Sequence, residues 1–258
     1  MTTTDRWADL RVRVVSAAVL IVLACVEIWL GGIFFRAAVA VLVAVMIWEL
    51  AGLTDAPSAA IRLGLGGLAA LCLWLAPGLG AWGWLLLLLP VAGFAVTLRR
   101  NAGLLAAYAL ALMVAGLGFM TLRGHGAGMF VWLVVLVVVS DSLGYFAGRS
   151  FGGPKFWPQI SPKKTWAGTV AGWCGAGVVG LVFAAAGVVP MAYALLSPLI
   201  AFAGQMGDIA ESWIKRRAGA KDSSNLIPGH GGVLDRFDAL VGAMLALQLL
   251  GLMMDGTV

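Results

Sequence analysis

Apolar stretches of about 20 residues, enough for an α-helix to cross the hydrocarbon core of a bilayer, recur along the whole chain. They fall at roughly 13–30, 33–51, 61–76, 81–98, 103–121, 128–147, 167–189, 191–207 and 236–254. Nothing else constrains the fold as strongly. In lipid every backbone N–H and C=O must be satisfied within the protein, which only helices or closed barrels achieve, and continuous apolar runs of this length select helices over alternating strands. Composition agrees: 62% of the 258 residues are hydrophobic and 11% charged, with a mean hydropathy of +0.99, against roughly 45–50% and about 25% in soluble domains. The sequence therefore predicts an all-α, polytopic integral membrane protein with about nine transmembrane helices.

Basic residues set its orientation, because cytoplasmic loops carry the Lys/Arg excess. With the N-terminus placed in the cytoplasm, Arg6, Arg11, Arg13, Arg62, Arg99, Arg100, Arg149, Lys155, Lys163, Lys164, Lys215, Arg216, Arg217, Lys221 and Arg236 fall on that side, leaving only Arg36 and Arg123. The N-terminal stretch, which a signal peptide would resemble, is read as the first span because apolar sequence keeps returning after it. Cys25, Cys72 and Cys174 are far apart, each within an apolar stretch. They show neither disulfide nor zinc spacing and read as small core residues.

Chemistry is expected at the cytoplasmic face. The outer connections near Gly31-Gly32, 77–80, 122–127 and Val189-Pro190 are short, whereas the inner segments 148–166 and 208–236 are long and rich in Gly, Pro, Ser and Lys. No internal repeat is visible. Asp141 interrupts VWLVVLVVVSDSLGYFAG and Asp208 follows an apolar run, and a carboxylate at a membrane boundary costs several kcal/mol unless paired or hydrated. Its structural alternative is an ion pair between helices. Glu27 and Glu49 are weaker cases: Glu27 reads as structural, and Glu49, near the cytoplasmic end of its helix, has no role the sequence assigns.

The segment 212–240, SWIKRRAGAKDSSNLIPGHGGVLDRFDAL, holds the densest polarity. Asp208 with Glu211 and Ser212, and Asp235 with Asp238, stand three or four residues apart, a spacing that puts each set on one helix face. Oxygen-only donors of this kind suit Mg²⁺, which takes one or two carboxylates, waters and substrate phosphates. Lys215, Arg216, Arg217, Lys221 and Arg236 exceed what those acids need, and phosphate is their natural complement. PGHGG adds backbone that an anion can approach closely. In the other inner segment, ISPKKTWAG over 160–168 contributes Ser161, Lys163, Lys164 and Thr165 at a point of membrane re-entry, where a helix N-terminus can face phosphate. Together these features point to phosphoryl or nucleotidyl transfer. A basic loop alone would reflect only the inside-positive bias or attraction to lipid headgroups. The framing of a Walker A loop is absent, as are Rossmann and kinase signatures.

The same residues carry a resemblance. The pattern S-x-[LIVMF]-K-R-x4-K-D-x-[GSA]-x2-[LIF]-[PG]-x-H-G-G-[LIVMF]-x-D-R-[LIVMFT]-D is filled at every specified position by Ser212, Ile214, Lys215, Arg216, Lys221, Asp222, Ser224, Ile227, Pro228, His230, Gly231, Gly232, Val233, Asp235, Arg236, Phe237 and Asp238. The chain thus resembles the phosphatidate cytidylyltransferases, or CDP-diacylglycerol synthases. GQMGDIAES, SPKKTW, DSLGYFAGRSFG and Trp48-Glu49 extend the likeness, which is strongest from 140 onward. Ala167 departs from the Glu or Gln common after the Trp, removing any acid role there, and Gly144 stands where Ala is common.

The resemblance implies a single membrane-embedded cytidylyltransferase domain over 1–258, with N-terminal helices over about 13–121 and a catalytic portion over about 128–258. It implies CTP and phosphatidate as substrates, Mg²⁺ with room for a second cation, and a multi-pass inner-membrane protein whose active site faces the cytoplasm. Asp208, Asp235 and Asp238 are then the expected metal ligands, with Asp141 and Asp222 as further candidates; Asp222 alternatively orients Lys221. Lys215, Arg216, Lys221 and Arg236 are expected to bind phosphate, helped by Ser161, Lys163, Lys164, Thr165, Ser212, Gly231 and Gly232. His230 either donates to a phosphate oxygen or orders the glycine turn. A homodimer is expected, since small residues in spanning helices pack between subunits as readily as within one, and nucleic acid is not. A CTP-dependent lipid kinase of the polyprenol type and a phosphate or cation transporter are the rival readings; polar residues gathered on one side argue against the transporter.

Overall fold

The computed structural model describes residues 3–53, 58–98 and 101–253, with the side chains of 3–14, 17 and 20 excepted. Arg99 and Arg100, and the side chains of Arg6, Arg11 and Arg13, which the orientation argument used, lie outside the described residues. Ten α-helices carry the fold: α1 (Thr3–Leu30), α2 (Gly32–Gly52), α3 (Ala59–Leu75), α4 (Gly83–Leu86), α5 (Leu88–Thr97), α6 (Ala102–His125), α7 (Ala127–Phe151), α8 (Trp166–Ala185), α9 (Met191–Arg217) and α10 (Leu234–Met253). Local chemistry explains several boundaries. Ser58 caps α3 by accepting from the Ile61 N–H, and α7 stops at Gly152, whose φ of 63° belongs to the left-handed region. Between α3 and α4 a 3₁₀ turn runs over Ala76–Trp82, with Gly80 at φ 54°.

The protein is an all-α polytopic membrane protein. Six helical stretches among the described residues are long and apolar enough to cross a bilayer: Gly32–Gly52, Ala59–Thr97, Ala102–His125, Ala127–Phe151, Trp166–Ala185 and Leu234–Met253. Each of the nine expected segments overlaps helical structure. The segments 61–76 and 81–98 form one apolar stretch bent at the 3₁₀ turn, α9 is diluted by Gln205, Asp208 and the charges beyond, and the part of α1 whose side chains are fully described, Ile21–Leu30, is apolar. Large apolar side chains such as Trp29, Phe34, Val41, Leu181 and Leu195 are exposed on the helices, as befits a protein whose solvent is lipid.

Two expectations change. The inner segments are shorter than 148–166 and 208–236, because α7 continues to Phe151, α9 to Arg217, and α10 begins at Leu234. Within the first, Lys155–Trp157 (β1) and Ser161–Thr165 (β2) pair as an antiparallel hairpin, a small β element in a helical protein. Of the cysteines, only Cys72 is buried; Cys25 and Cys174 lie on exposed faces instead of in the core, where an apolar side chain is at home in lipid.

The chain forms two compact units. The first comprises Met1–Leu117 and Ala220–Arg236. In it α2 and α3 pack closely, and a Cβ at Gly66 would sit 2.8 Å from the Ala44 carbonyl. Arg62 lies over the Trp48 ring at 4.2 Å. The second comprises Gly118–Gly219 and Phe237–Val258. Its α7, α8 and α9 pack against one another through small residues: a Cβ at Gly172 would lie 2.7 Å from Gln205 Nε2 and 2.8 Å from Ser140 Oγ. Gly207 of α9 likewise admits the α10 backbone, its Cβ position lying 3.0 Å from Gly242 Cα.

Candidate active site

In the second unit, charge gathers where α7, β2, α9 and α10 carry Asp141, Lys164, Asp208, Lys215 and Asp238. Helix α9 has 27 residues, about 40 Å at 1.5 Å per residue, longer than a hydrocarbon core of about 30 Å is thick, and its charged residues lie toward its C-terminal end. Lys164 Nζ reaches Asp208 Oδ2 at 2.6 Å and donates to the Gln205 carbonyl at 3.1 Å. One turn further along α9, Lys215 Nζ lies 2.7 Å from Glu211 Oε2, with Glu211 only 1% exposed. Asp141 interacts electrostatically with Lys164 and Asp208, and Asp238 with Asp208, Lys215 and Asp141.

A polar scaffold behind these charges fixes the helices. Gln205 accepts from Trp173 Nε1 at 3.1 Å and donates to Ser140 Oγ at 3.3 Å, joining α8, α9 and α7. Ser212 donates to Asp208 Oδ1 at 3.4 Å. Thr165 is buried and caps α8, its Oγ accepting from the Gly168 N–H at 3.2 Å. The helix N-terminus expected near 160–168 therefore exists, with a side-chain oxygen already on one of its donors. Ser161 is half-buried, and Lys163 and Arg216 are exposed.

In the first unit, the segment between α9 and α10 folds back on itself. Ile227 N donates to the Gly231 carbonyl at 2.8 Å and His230 N to the Ile227 carbonyl at 2.9 Å, with Gly229 and Gly231 at φ 75° and 85°, values that favour glycine. His230 Nδ1 lies 3.2 Å from Ser16 Oγ of α1, which donates to the Pro228 carbonyl at 3.1 Å. Asp235 accepts from Ser223 N, Ser223 Oγ and Gly232 N at 3.0, 3.1 and 2.7 Å. Asp222 stands beside Gly231 and, like Lys221 and Arg236, is exposed.

The sequence assigned no role to Glu49. It is fully buried and accepts from Ser224 Oγ, Leu234 N, Val233 N and Ser223 Oγ at 2.5, 2.7, 2.9 and 3.3 Å. The available signal was a carboxylate inside an apolar helix; what hid its role was the long separation from its partners.

Among the described residues no three of His, Cys, Asp and Glu stand together as a ready metal cage. Mg²⁺ does not demand one, since water and substrate phosphate complete its shell around one or two carboxylates. Asp208 and Asp238 are hard oxygen donors of that kind, and their chemistry fits. Asp235, by contrast, has its carboxylate on the loop backbone.

Fold and site define a membrane-embedded protein that gathers paired acids and lysines on α7, β2, α9 and α10, groups suited to phosphate. The family model described as "Cytidylyltransferase family" matches residues 11–253, and the chain belongs to that family. It is 35% identical to a phosphatidate cytidylyltransferase of Brucella abortus biovar 1 (strain 9-941), over 95% of this chain and 94% of that one. It is also 39% identical to proteins of the same name from Haemophilus influenzae (strain ATCC 51907 / DSM 11121 / KW20 / Rd), over 46% of this chain and 44% of that one, and from Bacillus subtilis (strain 168), over 49% and 48%.

Proposed function

We propose that this nucleotidyltransferase transfers CMP from CTP to phosphatidate, releasing pyrophosphate and forming CDP-diacylglycerol for phospholipid synthesis. The observation that carries the reading is the cluster in which Lys164 and Lys215 are each held by a carboxylate, with Asp141 and Asp238 in electrostatic reach. A phosphate oxygen of phosphatidate attacks the α-phosphorus of CTP; the new P–O bond forms as the bond to the bridging oxygen breaks, and pyrophosphate leaves with the electron pair. The nucleophile is already an anion, so no base must generate it. The obstacle is repulsion between two polyanions, which fixed cations relieve.

Lys164 and Lys215 supply positive charge aligned by Asp208 and Glu211, and exposed Lys163 and Arg216 add to it. Lys221 and Arg236 offer the same chemistry on the first unit. Asp208 and Asp238 would hold Mg²⁺, with a second cation as an option. The ion would neutralise phosphate charge and assist departure of pyrophosphate. Nine spans, a cytoplasmic N-terminus, a site facing the cytoplasm of a bacterial inner membrane and a homodimer complete the reading, supported by the basic residues of the inner segments and by small residues on spanning helices.

The test is a mixed-micelle assay with phosphatidate, Mg²⁺ and CTP labelled at either the α- or the γ-phosphorus. Lipid-soluble label from α-labelled CTP alone, abolished by EDTA and cut at least about 10²-fold by Asp238→Asn, is expected. Label arriving from the γ-position would identify a kinase, and label that never leaves the aqueous phase would remove lipid as the acceptor.

A further inference from the structure

We propose that Glu49 is a positioning residue for the transfer, the clasp that holds the loop between α9 and α10 in its working shape. The inference rests on the function proposed above. Its four acceptor contacts go to two places far from each other along the loop: the hydroxyls of Ser223 and Ser224 at its start and the N–H groups of Val233 and Leu234 at its end. One carboxylate thus draws both ends together. Asp235 repeats the tie from the other side, accepting from Ser223 N and Gly232 N. The intervening residues include the Gly-His-Gly-Gly turn, and Lys221 and Arg236 flank the clasp, so the geometry of these groups depends on it.

The choice of side chain follows from the donors. Val233 and Leu234 present backbone N–H groups, which cannot reverse their polarity, and each approaches a different oxygen of Glu49. A carboxylate serves both; an amide serves one and sets its NH₂ against the other. Leu234 is also the first residue of α10, where a negative charge is favoured by the helix dipole. Gly232 has no room for a side chain, because a Cβ there would meet Ser223 Oγ and lie 2.5 Å from Glu49 Oε1. The residue that closes the clasp is therefore glycine for a steric reason.

The experiment compares wild type, Glu49→Gln, Ser224→Ala and the double variant by two readouts: kcat and KM for CTP in the transfer assay, and the rate of trypsin cleavage after Lys221 relative to Lys155, followed by mass spectrometry. Lys155 lies in the hairpin of the other unit and reports general unfolding. Glu49→Gln is expected to lower kcat/KM about 10–100-fold, the scale of a misplaced catalytic group, and to raise cleavage after Lys221 selectively. Ser224→Ala should do the same more weakly, and the double variant should lose less than the product of the singles, because both act through one contact. Wild-type kinetics with unchanged cleavage would overturn the proposal, as would lost activity with the loop still protected. If Glu49→Gln opens Lys155 and Lys221 alike, Ser224→Ala decides on the same two readouts. A wild-type protein inactive toward phosphatidate would instead overturn the functional reading, and cleavage alone would then decide whether Glu49 holds the loop.

Discussion

Lys164 and Lys215 look alike in the sequence, yet their surroundings differ. The Lys164–Asp208 pair is partly open, with side chains 24% and 35% exposed, and such pairs contribute roughly 0–1 kcal/mol to stability. Lys164→Ala should leave thermal unfolding nearly unchanged while lowering CMP transfer at least about 10-fold, since charge-assisted contact to phosphate is lost. Lys215 and Glu211 are 11% and 1% exposed, and breaking a buried pair by removing one partner costs about 3–5 kcal/mol. Glu211→Ala should therefore lower the unfolding temperature in detergent sharply. Measuring stability and transfer on the same preparations separates the two cases, and equal destabilisation by both would show the burial argument to be mistaken. Asp141 and Asp208 stood out in the sequence because each breaks an apolar run. The carboxylate contact of Lys164 was not legible, because Lys164 and Asp208 are 44 positions apart on different elements, whereas Lys215 and Glu211 stand four apart on one helix.

Helix α9 shows why element boundaries are harder to read than element existence. Its apolar part ends near Gly207, which suggested a loop from Asp208, but the three- and four-residue spacing of Asp208, Glu211, Ser212 and Lys215 is itself helical, and the helix runs to Arg217. The β1–β2 hairpin was hidden for another reason: β1 has only three residues, and β2 is polar and contains Pro162, so neither shows an alternation to detect. Helix packing in the second unit follows glycine. Gly168, Gly172, Ala176 and Gly180 recur every fourth residue along α8 and are buried, the spacing that lets helices approach in lipid. Gly172→Ala, whose new Cβ would crowd Ser140 and Gln205 at 2.8 and 2.7 Å, is expected to cost about 1–3 kcal/mol. Gly177→Ala, where the nearest atom is Pro198 Cγ at an ordinary 3.5 Å, should be neutral or slightly stabilising, because Ala favours helix by about 1 kcal/mol over Gly. Thermal unfolding of the two variants checks the contrast, and a tolerated Gly172→Ala would refute the packing account.

At the scale of the molecule, the class was fixed by hydropathy alone, and the signature pointed to phosphate chemistry. The division into two units was not legible, because the first unit recruits Ala220–Arg236 from beyond the whole of Gly118–Gly219. The proposed orientation predicts that sealed inside-out vesicles use added CTP directly, whereas right-side-out vesicles do so only after permeabilisation; the reverse pattern would invert the topology. The recruitment also has a consequence in time. Glu49 meets its bonding partners 174 to 185 residues later in the chain. At a synthesis rate of roughly 5–20 residues per second, that is a wait of about 10–40 s. Throughout that interval the nascent protein carries an acid whose matching donors have not yet left the ribosome. Completion of the first unit is thus postponed until α10 begins, and a polypeptide halted before Ser223 holds an acid for which none of these four donors has been made.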